Sequence, residues 1–134
     1  MLVVPYGGSV AVFNQFLSQF SVYYHLYIND LTPTLDSVLS DFVEASYPSY
    51  GPQIVQQWTD AVLVGGVAAT YGDPLLWTVG SVVVPQTVYG YYVTGGPTGP
   101  LLWAELRELG PVPLDTVGAR VYLTPALTLQ SLTA

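Results

Sequence analysis

The chain holds one histidine, His25, and no cysteine. Those two counts bound the chemistry first. A hydrolytic centre of the serine or threonine type needs a nucleophile, a base and a third group that orients the base. His25 is the single imidazole available, and it stands in FSVYYHLYIND between Tyr23 and Tyr27 rather than among acids and hydroxyls. A histidine so placed is expected to be structural or to belong to an interface. The lack of cysteine removes disulfides, thiolate catalysis and Cys-containing zinc or iron–sulfur centres. Paired carboxylates offer a second chemistry, that of glycosidases. Asp36, Asp41 and Glu44 lie close in sequence, but spacing alone does not bring Asp36 and Glu44 to one site. Asp60, Asp73 and Asp115 sit in or beside turns, where Asx-type hydrogen bonding accounts for them. No catalytic residue, metal or cofactor is assigned, and no enzymatic activity is expected.

Three glycine pairs, Gly7-Gly8, Gly65-Gly66 and Gly95-Gly96, invite comparison with phosphate-binding loops. None is followed by Lys-Ser/Thr, and none belongs to G-x-G-x-x-G, so all three are expected to be turns. The last pair belongs to TGGPTGP, which separates VYGYYV from LLWAELREL. Tyr89, Tyr91, Tyr92 and Trp103 flank that turn. Flat aromatic faces with a polar rim stack on sugars, and they also anchor protein interfaces. The interface is the expectation here, with a glycan as the alternative partner. Strand alternation puts Leu102, Ala104, Leu106 and Glu108 on one face of LLWAELREL. Leu101, Trp103, Glu105 and Arg107 fall on the other, so Glu105 and Arg107 are placed to form an ion pair. The candidate interface is therefore Tyr89, Tyr91, Tyr92, Trp103, Glu105 and Arg107.

Composition narrows the partners. There is no lysine, and two arginines stand against nine acids, for a formal charge of −7. Nucleic-acid affinity comes largely from cations that displace counterions, so DNA and RNA are not expected partners. Anionic membrane surfaces are disfavoured for the same reason. No run approaches the roughly 20 apolar residues of a membrane span, and the first residues lack the basic start of a secretory signal. Only 8% of residues are charged, against about 25% in ordinary soluble domains. A surface so poor in charge suits a subunit of a permanent assembly, built from copies of itself or with other proteins.

The elements that would carry these residues are mostly strands. FSVYYHLYIND alternates, with Val22, Tyr24, Leu26 and Ile28 on one face and Tyr23, His25 and Tyr27 on the other. Residues 9–19 are expected to form a short helix. A second helix is expected where Leu35, Val38, Leu39 and Phe42 repeat at i, i+3, i+4, i+7. From Gln53 onward the pattern is β: 53–64, 67–79 with a turn at Gly72-Asp73-Pro74, 81–86, 87–93, 101–109 and 119–131. Pro125 marks an edge or bulge dividing the last run into two half-strands. The expected fold is mainly β, an antiparallel β-sandwich or Greek-key barrel with one or two short helices, in a single domain over 1–134.

From Leu35 onward four segments form a series: LSDFVEASYPSYG, IVQQWTDA, VYGYYV turning into LLWAE, and GARVYLTPALTLQSL. In this the chain resembles a set of small phage- and prophage-encoded proteins. The resemblance implies a virion structural role, as a head-decoration or tail-associated β-sandwich protein without catalytic residues. Its partners would be itself and other capsid or tail proteins. The shared motifs are structural, so no functional residue is carried over from the family.

Overall fold

The alternating runs become antiparallel strands in a computed structural model that describes residues 5–19, 21–81 and 85–130. In chain order the elements are α1 (Tyr6–Gln19), β1 (Val22–Tyr27), β2 (Gln53–Val55), β3 (Val62–Val64), β4 (Val67–Tyr71), β5 (Leu75–Thr78), β6 (Gln86–Val88), β7 (Gly90–Thr94), β8 (Leu101–Leu106), β9 (Val112–Leu114), β10 (Arg120–Leu123) and β11 (Ala126–Gln130). The chain is mainly β, with several antiparallel sheets and one α-helix among the described residues, as a β-sandwich-like fold requires. Two compact units share these elements. One comprises Val22–Ile54 and Leu76–Tyr122, and the other 1–21, Val55–Leu75 and 123–134.

The first unit is organised by a four-stranded sheet in the order β2-β1-β7-β8. Its register pairs His25 with Tyr92 and Tyr27 with Gly90 on one side, and Tyr92 with Ala104 and Val93 with Trp103 on the other. Residues directly opposite share a face. One face therefore carries Tyr24, Leu26, Tyr91, Val93, Trp103 and Glu105. The other carries His25, Tyr27, Gly90, Tyr92, Thr94, Ala104 and Leu106. An irregularity at Val93/Thr94 sets Leu101 opposite Thr94 and leaves Leu102 as the extra residue. Leu101, not Leu102, thus joins Ala104 and Leu106, and these pack on a core of Tyr27, Phe42 and Tyr92. This corrects the simple alternation expected of LLWAELREL.

Gly90 is the position where that face depends on a missing side chain. A Cβ there would lie 2.2 Å from the Glu105 carbonyl oxygen and 2.7 Å from the Tyr27 hydroxyl. The Tyr27 ring occupies the space above Gly90, and its hydroxyl donates to the Leu31 carbonyl at 2.9 Å. Two-stranded pairs β6–β9 and β5–β10 complete the unit. β9 was not anticipated, because Pro111 and Pro113 argue against a strand; Pro113 is tolerated opposite Thr87 in a two-stranded pair with a free edge.

The expected helix over Leu35–Phe42 is not formed. A single 3-10 turn, Leu39–Asp41, stands in its place. Asp41 Oδ2 accepts from the Val38 N–H at 2.9 Å, the donor a helix here would send to the Thr34 carbonyl. Val38 and Phe42, on either side, are extended. The apolar stripe is not a buried one either, since Leu35 is fully exposed and Val38 half-exposed.

The second unit is built on the sheet β11-β4-β3, with α1 packed chiefly against β4. Ala68, Ala69 and Thr70 on β4 are buried. Gly65 and Gly66 form the expected two-residue turn between β3 and β4. Their φ values of 59° and 81° match a type I′ hairpin, which requires positive φ at both places. Gly7 and Gly8 are a correction, since they lie in the first turn of α1 instead of a loop. Pro5 precedes that turn, a position proline suits. The run 53–64 breaks into β2 and β3, and between them Trp58 makes an isolated antiparallel bridge to Gly72, just past β4. The run 119–131 divides around Pro125 as expected. Of the run 81–86, residues 82–84 lie outside the described residues.

Candidate functional site

The densest polar chemistry surrounds His25 in the first unit. β1 places its ring on the same face as Tyr92 and Thr94 of β7. The segment Val43–Ala45 runs along the other edge of β1, held by Ile28 N–H to Val43 O at 2.8 Å and Ala45 N–H to Leu26 O at 2.9 Å. Glu44 is thereby fixed opposite Tyr27. Its Oε2 lies 2.7 Å from His25 Nδ1, and His25 Nε2 lies 2.8 Å from Thr94 Oγ1. Tyr50 donates its hydroxyl to Glu44 Oε2 at 2.5 Å and accepts from the Leu26 N–H at 3.1 Å. Thr94 donates to the Gly96 carbonyl at 2.5 Å, inside the hairpin turn.

Thr94 has one hydroxyl hydrogen, and Gly96 takes it, so at Nε2 the threonine oxygen acts as acceptor. At Nδ1 the carboxylate is an acceptor as well. Both ring nitrogens therefore face oxygen acceptors. The ring also stacks on Tyr92 at 4.6 Å and 5°, and Tyr92 stacks on Phe42 at 4.8 Å. Burial, and then the Glu44 charge, push the Tyr92 hydroxyl up; burial and the hydrogen bond to Glu44 do the same for Tyr50.

Thr94, His25 and Glu44 have the connectivity of a nucleophile, base and orienting acid. The surroundings give them another task. Thr94 is 1% exposed and His25 3% exposed, so no substrate carbon reaches Oγ1 in this arrangement. The hydroxyl hydrogen points to Gly96 and not to the base. What the arrangement does chemically is tie three separate segments, the strand at His25, the strap at Glu44 and the turn at Thr94–Gly96, through charged and neutral hydrogen bonds.

The expected interface residues are placed on different surfaces. Tyr91, Trp103 and Glu105 come together on one sheet face. Tyr91 stacks on Tyr24 at 5.3 Å and donates to Glu105 Oε1 at 3.3 Å, while Trp103 meets Tyr24 edge-on at 6.4 Å. Tyr24 Oη and Trp103 Nε1 are both shielded from solvent, and neither makes a hydrogen bond of good geometry among the described residues, although the two groups face each other. Burial pushes the Tyr24 hydroxyl up, Tyr91 adds to the effect, and the nearby Trp103 indole works the other way. Tyr92 is buried on the opposite face within the core, and half-buried Tyr89 packs against that core. Glu105 and Arg107 do not pair. β8 ends at Leu106, and the Arg107 guanidinium donates to the Gly110 carbonyl at 2.8 Å in the following turn.

Tyr50 and Thr94 were not singled out in the sequence, and Glu44 was weighed only beside Asp36 and Asp41 as a possible carboxylate pair. Glu44, Tyr50 and Thr94 lie 19, 25 and 69 positions from His25, and only the β1–β7 register and the strap along β1 bring them together. The chain matches no protein-family model, no curated protein and no solved structure.

Proposed function

We propose that this protein is a non-enzymatic structural subunit that assembles with copies of itself or with neighbouring proteins by covering apolar surface. One observation carries the reading. Val62, Leu63 and Val64 of β3 are 54%, 44% and 61% exposed, so an entirely aliphatic strand meets solvent on both faces. Soluble monomers rarely leave contiguous apolar surface open. β3 is also the end strand of its sheet, and an end strand presents unpaired backbone groups. The low share of charged residues and the −7 net charge fit a protein that meets other proteins and avoids nucleic acid.

The assembly we propose is a virion, with the protein decorating the head or associated with the tail, in line with the resemblance of its sequence to small phage proteins. The His25 network supports a structural part, because it locks segments together and leaves no reactive group open. Light scattering of the purified protein is expected to give a mass several times 14.4 kDa. The chain is expected in purified particles by mass spectrometry. A stable monomer absent from particles would overturn the proposal.

A further inference from the structure

We infer that the groove between α1 and residues 56–60, in the second unit, is a binding site for a neutral oligosaccharide. This goes beyond the assembly reading and does not depend on it. The groove has a volume of about 420 Å³, within the range of small-ligand sites. Asn14 of α1 forms one wall, and Gln56, Gln57, Trp58 and Asp60 form the other.

Both walls are fixed. Asn14 Oδ1 accepts from the Ala61 N–H at 3.0 Å, which ties the helix to the facing segment. That segment is held to β4 by Thr59 N–H to Tyr71 O at 2.8 Å, by Tyr71 N–H to Thr59 Oγ1 at 3.0 Å and by the Trp58–Gly72 bridge. A site already in place spares a ligand the cost of ordering it.

The lining selects the ligand class. Gln56, Gln57 and Asp60 are exposed, and their side chains have no hydrogen-bond partner among the described residues. Two primary amides and a carboxylate, with the unused Asn14 amide N–H groups opposite, match a ligand carrying many hydroxyls that both donate and accept. Trp58 is half-buried, and its indole N–H is turned away from solvent, so it contributes apolar area to the groove. Amides around an indole are the means of gripping the carbon face and the hydroxyl rim of a sugar ring. No cation lines the groove, which disfavours phosphate, sulfate and sialic acid, and Asp60 repels them. Acyl chains would leave the amides unpaired.

The test is a glycan array of neutral oligosaccharides, including maltohexaose, cellohexaose and chitohexaose, alongside sialylated and sulfated glycans. Calorimetry on the full chain follows with the best neutral ligand. A neutral glycan is expected to bind saturably. Replacing both exposed amides, Gln56→Ala with Gln57→Ala, should weaken it about tenfold or more while the circular dichroism spectrum stays unchanged. Trp58→Phe should keep part of the affinity, and Trp58→Ala should lose it. Because Trp58→Ala can unfold the second unit, the double amide variant is the deciding one. The inference is overturned if no neutral glycan binds, if only acidic glycans bind, or if the double amide variant binds as well as the natural chain. Preferential capture of a polar peptide, competed by no sugar, overturns it too.

Discussion

Two hairpins of this protein are written in nearly the same way and meet different fates. Both β3–β4 and β7–β8 pair apolar strands around glycine-containing turns, and neither turn carries a charge. In β7–β8, the strand β7 is buried at Tyr92, Val93 and Thr94 because β1 closes its other edge and Phe42 covers one face. In β3–β4, β4 is buried by β11 and α1, while β3 has every residue exposed. The difference teaches that apolar alternation marks a strand without telling which strand ends the sheet. A third strand and a covering layer decide burial, and those come from distant parts of the chain.

The strongest way to break the contrast is Gly90→Ala. The new Cβ would run into the Glu105 carbonyl and the Tyr27 ring, and neither is the free end of a flexible side chain. Overpacking costs roughly 1–3 kcal/mol and more where backbone must move, so a loss of about 3 kcal/mol or failure to fold is expected in urea denaturation. Gly65→Ala, on the other hairpin, meets no atom within 4 Å but has to adopt a φ of +59°. It is expected to cost about 1 kcal/mol, as the left-handed region does for ordinary residues. Equal effects at the two glycines would remove the distinction drawn between the hairpins.

Next in size is His25→Ala. It leaves Glu44 and Thr94 each short of a partner and opens a gap beside Tyr92. Breaking a buried charged hydrogen bond costs about 3–5 kcal/mol when both groups are enclosed. Glu44 is 35% exposed at its side chain, and water there reduces the penalty to about 2–3 kcal/mol. A double-mutant cycle with Glu44→Gln measures the coupling directly. Additive losses would mean that the two side chains pack side by side without acting as a network.

Alkaline pH separates the regions by another route. Burial raises the hydroxyls of Tyr24, Tyr50, Tyr91 and Tyr92 well above 10, and that of Tyr27 to about 12, with neighbouring acids adding to it. All five belong to the unit built on β1, β7 and β8. For a phenol raised in the folded state, the native fold favours the neutral form. Its contribution is complete below pH 10 and is lost as pH rises through the folded value. Tyrosinate absorbance from these five is therefore expected to rise late and cooperatively, above pH 10, as the sheet around β7 opens. A single smooth titration of all the tyrosines would count against this.

Much of the fold was legible along the chain and little of the site. Alternation located β1 and β7, Gly65-Gly66 located a hairpin, and Pro125 located the break between β10 and β11, because each depends on neighbours within a few residues. The helix expected over Leu35–Phe42 gives way to a 3-10 turn in which Asp41 takes the Val38 N–H that a helix would use. Periodicity counts apolar positions and takes no account of that competition. LLWAELREL was misassigned by one residue, since a bulge at Val93/Thr94 swaps Leu102 for Leu101 and cannot be seen in spacing. His25 was rightly set among tyrosines, but Glu44, Tyr50 and Thr94 reach it only through tertiary pairing.

The smallest expected change in stability carries the most functional weight. Leu63 is 44% exposed at the middle of β3, so Leu63→Lys removes little buried area, and surface substitutions of this kind stay within about 0.5 kcal/mol. Lysine on an end strand also opposes strand-to-strand addition, the device natural sheets use to stay apart. Denaturation midpoints should therefore hardly move, while the mass seen by light scattering should fall toward that of one chain. The matching change on β8, Leu102→Lys, affects a residue exposed to a similar degree, 36%, on the other unit's end strand. It should leave association largely intact if β3 carries assembly. Should Leu102→Lys dissociate the protein and Leu63→Lys not, the assembling surface is the β7–β8 hairpin that the sequence pointed to first, and β3 is merely exposed.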